Sequence, residues 1–182
     1  MNDWAILDLV LYFTGSLFAL TQSIAFAHYF RLFRGDHLSL WSISFLSLAI
    51  YLGAAGLSVL LLPHYPAAHP LRLFLSCVSL TAAYIQVAAL VMGTMAIWRT
   101  QRWTRSQLVG ALAAASLFGL LTCLAFAFDP AASGERFFLR VGLRLLITGL
   151  AALCMGIATP ERWPRAKVGA QLSASALSIY GL

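Results

Sequence analysis

The segment from Glu135 to Ala158, ERFFLRVGLRLLITGLAALCMGIA, is apolar and long enough to cross a bilayer, yet it contains Arg140 and Arg144. These two arginines share one helix face, about one and two turns from the start of the segment. An arginine at the centre of a membrane helix costs at least ~2.5 kcal/mol, so such residues face protein or water. Three glycines line the opposite face: Gly142, Gly149 and Gly156. They favour the close approach of another helix, so the segment is predicted to be central in a helix bundle.

The overall composition is that of an integral membrane protein. The chain has 182 residues, of which 61% are hydrophobic and 10% charged, and its mean hydropathy is +0.85. Soluble proteins are about 25% charged and about 45–50% apolar. The length leaves room for about five or six membrane helices of roughly 20 residues and excludes a soluble catalytic domain. The net charge of +6 does not indicate nucleic-acid binding, because Lys and Arg collect in the cytoplasmic loops of membrane proteins.

Five apolar segments, separated by polar or proline-containing stretches, predict an all-α, polytopic membrane helix bundle. The predicted transmembrane helices span 4–33, 38–62, 71–98, 107–128 and 136–158. We expect residues 1–160 to form this bundle and residues 161–182 to form a C-terminal cytoplasmic connector helix. The part after Lys167 reaches only about 22 Å as a helix, which is too short to cross a hydrocarbon core ~30 Å thick. The alternative is that the tail is a truncated sixth crossing. Two pairs of small residues predict close helix contacts: Ala49 with Gly53, and Gly110 with Ala114.

Basic residues fall in alternate connections between the predicted helices. Eight of the 12 Lys and Arg residues are in these connections: Arg31, Arg34, Arg99, Arg102, Arg105, Arg162, Arg165 and Lys167. The intervening loops, 63–70 and 129–135, contain no Lys or Arg. Because basic loops stay on the cytoplasmic side, the pattern predicts a multi-pass protein of the inner (cytoplasmic) membrane with its N-terminus outside.

No sequence motif of an enzyme is present: the chain has no HExxH, GxSxG, P-loop or GxGxxG pattern. A haem site between helices usually needs two histidines, and only His28 is well inside a segment. His64 and His69 share a predicted external loop, but two ligands are too few for a metal site. We therefore predict no cofactor, no metal and no catalytic activity in this chain. The three cysteines are predicted to be inert packing thiols: Cys77, Cys123 and Cys154.

The strongest candidate site is a polar cluster at the predicted outer end of the bundle. Its members are Asp8, Arg140, Arg144 and Arg72, with Gln22, Gln86 and Tyr84 extending a polar interior below them. In one interpretation Asp8 forms an ion pair with an arginine and locks the helices together. In the other, Asp8 neutralises only part of the charge, and the remainder binds a carboxylate or phosphate head group, because arginine binds these anions bidentately. The ligand would then be fatty-acid-like or another anionic amphiphile, with its chain in an apolar slot.

The tail carries a resemblance to a known class of membrane domain. Arg165, Lys167 and Leu172, followed by ASALSIYGL over 174–182, read like the start of a connector helix. Together with the helix number and the basic inner side, this tail resembles the membrane input domains of bacterial sensor histidine kinases and diguanylate cyclases. The resemblance implies a small hydrophobic or fatty-acid-like signal, a homodimer, and a cytoplasmic effector domain or partner that this sequence does not contain.

Two classes of function follow from these patterns. The first is a membrane-embedded sensory or input domain of a bacterial signalling protein, which relays ligand binding through the C-terminal helix. Pro160 and Pro164 would make an articulated joint between the fifth segment and that helix. The alternative is a small membrane transporter, channel or lipid-handling protein. A transporter typically has Gly- or Pro-broken helices in matching halves, and none of the five segments has an interior proline.

Overall fold

Four long helices make up most of the structure. The computed structural model describes residues 3–61, 69–98, 103–125, 142–143 and 145–150, and within these ranges it is all-helical and contains no strand. The helices are α1 (Asp3–Phe33), α2 (Asp36–Leu61), α3 (Pro70–Trp98) and α4 (Arg105–Ala125). Each is long and apolar enough to cross a membrane. The prediction of an all-α, multi-pass membrane protein is therefore confirmed at this level.

The first four predicted segments correspond to α1 to α4, with starts that differ by at most two residues. Of the fifth segment, 136–158, residues 142–143 and 145–150 are helical. The remainder of that segment lies outside the described residues, and so does the tail, 161–182. The count of five crossings, the domain boundary at 160 and the choice between a connector helix and a sixth crossing therefore stay predictions.

A tight turn at Arg34 and Gly35 joins α1 to α2. The Arg34 amide donates to the Phe30 carbonyl at 2.8 Å, and Arg34 itself has a φ of 51°. This left-handed conformation closes the last turn of α1, although a side chain adopts it less readily than glycine does. At Gly35, a Cβ would lie 2.7 Å from the His37 ring, so a larger residue there would require this ring to move. The short turn forces α2 to run back antiparallel along α1.

A capping box fixes the start of α4. The Gln107 amide donates to the Thr104 hydroxyl at 3.3 Å, and the Thr104 amide donates to Gln107 Oε1 at 3.1 Å. This reciprocal pair satisfies amides that a helix start leaves without partners. It explains why α4 begins at Arg105, two residues before the predicted start. Just before the box, Trp103 Nε1 donates to the Met92 carbonyl at 3.1 Å and holds the α3–α4 connection against α3.

Small and hydroxylated residues join α1 to α2. The Ser16 hydroxyl donates to the Ala49 carbonyl at 2.8 Å, and its oxygen lies 3.5 Å from where a Cβ at Gly53 would be. The predicted close contact at Ala49 and Gly53 is thus confirmed. Further along, Ser23 and Ser42 each donate to the other's carbonyl, at 2.8 and 2.9 Å. In lipid such interhelical hydrogen bonds and close backbone approaches replace the hydrophobic effect as the source of helix association.

Among the described helices, α3 occupies the central position. Of its apolar stretch 50% is buried, compared with 11% in α1 and 11% in α4. On one side it meets α2, where a Cβ at Gly93 would lie 2.5 Å from Cδ1 of Trp41. On the other side it meets α4, where a Cβ at Gly119 would lie 2.7 Å from the Cα of Thr81. The fifth segment, which was predicted to be central, lies mostly outside the described residues.

Among the described residues, the second predicted small pair makes no contact with another helix. Gly110 and Ala114 are both exposed, and no described atom lies within 4 Å of a Cβ built at Gly110. This expectation was wrong because α4 meets α3 through its other side, at Gly119. Nothing in the composition of α4 distinguishes the two glycines, so only the packing direction of the helix decides between them.

Candidate functional site

The candidate site is the buried polar interior around Gln86, in the middle of α3. Gln86 is 3% exposed, and its main-chain carbonyl accepts a hydrogen bond from the Ser44 hydroxyl at 3.0 Å. Its side-chain Oε1 is buried and has no hydrogen-bond partner. A buried amide oxygen without a donor costs about 1–3 kcal/mol, and more where no water can reach it. An uncompensated carboxamide at the centre of a membrane bundle therefore marks a place where an occupant would be stabilising.

Two threonines share this property. The hydroxyls of Thr81 and Thr148 are buried and have no hydrogen-bond partner, and Thr148 is 1% exposed. Hydroxyls in membrane helices often donate to the carbonyl four residues earlier. Six of the described residues do so: Thr14, Thr21, Ser58, Thr94, Ser116 and Thr122. Against that background, the missing bonds at Thr81 and Thr148 are exceptions. One of these hydroxyls is in α3 beside Gly119 of α4, and the other is in the helical residues 145–150.

Trp41 completes the set of buried polar atoms without partners. Its Nε1 is buried and makes no hydrogen bond, while its ring packs edge-on against Phe26 and His37, each with centroids 5.5 Å apart. The indole also covers the backbone of Gly93. Trp41 is therefore held mainly by aromatic and backbone packing, and its Nε1–H group is left without an acceptor.

Four residues of the predicted polar cluster lie within the described helices α1 and α3. Gln86 and Tyr84 are both buried in α3, but Tyr84 packs edge-on against Phe118 of α4, with centroids 4.8 Å apart, and the Gln86 backbone faces α2. Gln22 is half-buried on α1, and Arg72 is half-buried in the first turn of α3.

Asp8 is exposed on the second turn of α1, and Arg140 and Arg144 lie outside the described residues. Asp8 is one turn before Tyr12, on the same helix face, and interacts with it electrostatically. The ion pair between Asp8 and an arginine, and the cavity that the pair was predicted to line, therefore stay predictions.

The described residues contain no group of three or more His, Cys, Asp or Glu side chains that could hold a metal ion. His69, one of the two loop histidines, instead helps to start α3. Its Nδ1 accepts from the Leu71 amide at 3.2 Å, and its carbonyl accepts from the Arg72 amide at 3.0 Å. The ring nitrogen therefore serves as a helix cap, as hydroxyl and carboxylate oxygens do elsewhere.

Sequence reasoning overlooked Thr148, Thr81 and the contact between two cysteines. Cys77 of α3 and Cys123 of α4 are reduced, and their Sγ atoms are 3.1 Å apart. The signal for the threonines is weak, because a lone threonine in an apolar helix usually bonds to its own backbone. The contact between the cysteines can be predicted only when the antiparallel register of α3 and α4 is known.

Comparison of the chain with known protein families, with characterised proteins and with solved structures found no match. The function is therefore argued from the chemistry of the polar interior.

Proposed function

We propose that this chain is a membrane-embedded input module that binds a small amphiphilic ligand in the bundle interior and relays its presence through helix displacement. The observation that carries the proposal is the buried Oε1 of Gln86, an acceptor without a donor in the most enclosed helix of the described bundle. Polar side chains in a membrane interior are costly and are typically functional. A ligand that donates a hydrogen bond to Gln86 would remove that cost, and its binding would be favoured by the same amount.

The pattern of unsatisfied atoms favours a head group that both donates and accepts. Gln86 offers an acceptor, and the hydroxyl of Thr148 can donate or accept. A protonated carboxylic acid or an alcohol meets both demands, whereas an ionised carboxylate needs a cation such as the predicted Arg140 or Arg144. A fatty-acid-like amphiphile therefore suits both the described interior and the predicted arginines.

The depth of Thr148 is consistent with one shared site. Leu143 packs on the cluster formed by Leu80, Tyr84 and Cys123. The alternating direction of α1 to α4 predicts that residues 142–143 and 145–150 run in the direction of α3. Thr148 would then lie about 7–8 Å deeper than Leu143, at the level of the α3 turn that contains Gln86.

The relay follows from the position of α3 between two neighbours. A ligand that binds Gln86 would shift α3, which is in backbone contact with α4 and in close side-chain contact with α2. Packed helices switch between discrete arrangements by small shifts of this kind. We further propose the inner-membrane location, the N-terminus outside, the homodimer and the cytoplasmic effector. The orientation is supported by Arg31, Arg34 and Arg105, which the antiparallel helices bring to one end of the bundle.

A transporter or channel receives less support from the described helices. Discontinuous helices would favour it, but within α1 to α4 the only proline is Pro70, at the first position of α3. Proline at that position starts a helix and does not break one. A lipid-handling protein would bind the same class of ligand as the input module but would also move it across the membrane. Measuring the flux of the amphiphile across proteoliposomes therefore separates the two functions.

Ligand binding is tested by stabilisation of the full chain in lipid nanodiscs by lauric acid. We expect the acid to raise the Tm of the wild type, and expect Gln86→Leu and Thr148→Val to reduce that increase. The matched control is Thr94→Val, because the Thr94 hydroxyl is buried at 5% exposure but already donates to the Leu90 carbonyl at 2.8 Å. Equal stabilisation of all four proteins by lauric acid, or none in the wild type, contradicts a ligand site at Gln86.

A further inference from the structure

Two thiols from neighbouring helices meet in the interface between α3 and α4. The Sγ atoms of Cys77 and Cys123 are 3.1 Å apart, and the residues are separated by 46 positions in the sequence. Cys123 is 4% exposed and Cys77 is half-buried. Around them is an apolar cluster that includes Leu80, Tyr84 and Leu73. Two sulfur atoms this close need to move only about 1 Å to reach a disulfide bond length of ~2.05 Å.

The backbones on either side are close enough for that bond. Thr81 is one turn after Cys77, and Gly119 is one turn before Cys123, so the two pairs are neighbours in the antiparallel register. A Cβ at Gly119 would lie 2.7 Å from the Thr81 Cα and 3.0 Å from the Thr81 nitrogen. This is direct backbone contact between the helices. A disulfide requires a Cα–Cα separation of about 4.4–6.8 Å, so it can join only helices that approach each other closely.

We propose that Cys77 and Cys123 form a dithiol oxidation site whose oxidant is a lipid-soluble two-electron acceptor of the quinone class. Oxidation breaks the two S–H bonds and forms one S–S bond. The two electrons and two protons pass to the quinone, whose two carbonyl groups become the hydroxyls of the hydroquinone. The product is a covalent link between α3 and α4. This inference does not depend on the proposed ligand site at Gln86.

The surroundings of the pair select the oxidant. The thiols lie in an apolar cluster of a membrane-spanning bundle, so a polar disulfide such as that of glutathione has no route to them. An apolar oxidant dissolves in the bilayer and is therefore compatible with the apolar surroundings of the pair. Cys77 is the more exposed of the two and is the thiol that the oxidant meets first.

The test uses the full chain in nanodiscs, carrying Cys154→Ser so that only the proposed pair remains. The protein is treated with duroquinone, whose ring carbons are all substituted and so retain no thioether, and in parallel with diamide. It is then denatured without reductant and labelled with a polyethylene-glycol maleimide. We expect the reduced protein to carry two adducts and the oxidised protein none, with an intact mass lower by two hydrogen atoms. Dithiothreitol should restore both adducts.

The matched control moves one thiol by a single residue. Ser76→Cys combined with Cys77→Ser and Cys154→Ser keeps two cysteines in the same helices but turns one of them about 100° away from α4. We expect this variant to keep both adducts under the conditions that oxidise the Cys77–Cys123 pair. Retention of both adducts by that pair, or equally fast oxidation of the control, overturns the proposal. Oxidation by diamide without oxidation by duroquinone overturns the assignment of a quinone as oxidant.

Discussion

Among the glycines of the described helices, Gly119 makes the closest contact with the backbone of another helix, and replacing it with alanine tests the packing of α4 on α3. The new methyl group would lie 2.7 Å from the Thr81 Cα, 3.0 Å from its nitrogen and 3.1 Å from the Leu80 carbonyl carbon. All three are backbone atoms of a neighbouring helix, so no side-chain rotation relieves the overlap. Gly110→Ala in the same helix is the matched control, because a Cβ there meets nothing within 4 Å.

The expected magnitude follows from the distances. Carbon atoms pack best at about 3.5–4.0 Å, so the helices must separate by about 1 Å near the crossing, and a gap of that size forfeits roughly a quarter to a half of each dispersion contact. Overpacking of this kind costs about 1–3 kcal/mol. Alanine in place of glycine also gains about 1 kcal/mol of helix propensity, but that gain is common to both variants and cancels. Gly119→Ala should therefore be less stable than Gly110→Ala by about 1–3 kcal/mol.

Thermal unfolding of the purified variants in one detergent measures this difference. For a chain of this size it corresponds to a Tm lower by about 2–12 °C in Gly119→Ala than in Gly110→Ala. Gly119→Val should widen the gap, because its larger side chain adds volume against the same backbone. A Tm for Gly119→Ala equal to or above that of Gly110→Ala would refute the contact between α3 and α4, and with it the register on which the dithiol site rests.

Three further outcomes are expected. Ser23→Ala should lower the free energy of unfolding by about 0.6 kcal/mol, the average for an interhelical hydrogen bond in a membrane protein. Thr21→Ala removes a hydrogen bond within α1 and should lower it less, and thermal unfolding of the two variants compares them. Gly93→Ala should destabilise by pressing on the Trp41 indole, and Trp41→Phe should relieve that cost, so strictly additive Tm shifts would contradict the contact. In a cysteine-free background, Thr104→Cys should react with an impermeant maleimide only after cell lysis, and labelling of intact cells would reverse the predicted orientation.

The helices were predictable because each is an uninterrupted apolar run bounded by polar residues or proline. The exact starts were less predictable, since they depend on local hydrogen bonds that a hydropathy pattern does not contain. The Thr104–Gln107 capping box moves the start of α4 two residues earlier, and the left-handed Arg34 lets α2 begin at Asp36. The residues that make both features are visible in the sequence, but their effect on the helix starts is recognised only from the hydrogen bonds and backbone angles of the structure.

Helix pairing was the part that the sequence could not decide. A run of small residues shows that a face is smooth and says nothing of which helix packs there or in what register. The pair Ala49–Gly53 forms a real contact, whereas Gly110–Ala114 is exposed and Gly119 makes the contact instead. Within the candidate site, Gln86 was identified because a glutamine is rare in an apolar helix. Thr148 was overlooked, because its significance depends on a hydrogen bond that it does not make.

The two proposals concern opposite faces of the same helix and are separable for that reason. Gln86 follows Cys77 by nine residues, which places it about 13 Å further along α3 and about 180° around it. Gln86 lies toward α2 and Cys77 toward α4, and their partners in these contacts, Ser44 and Cys123, are on different helices. Substitutions at such distances ordinarily add within about 0.3–0.5 kcal/mol. Gln86→Leu and Cys77→Ser should therefore have additive effects on the free energy of unfolding. A larger coupling would mean that α3 moves as a rigid body, so that oxidation at one face alters the ligand site at the other.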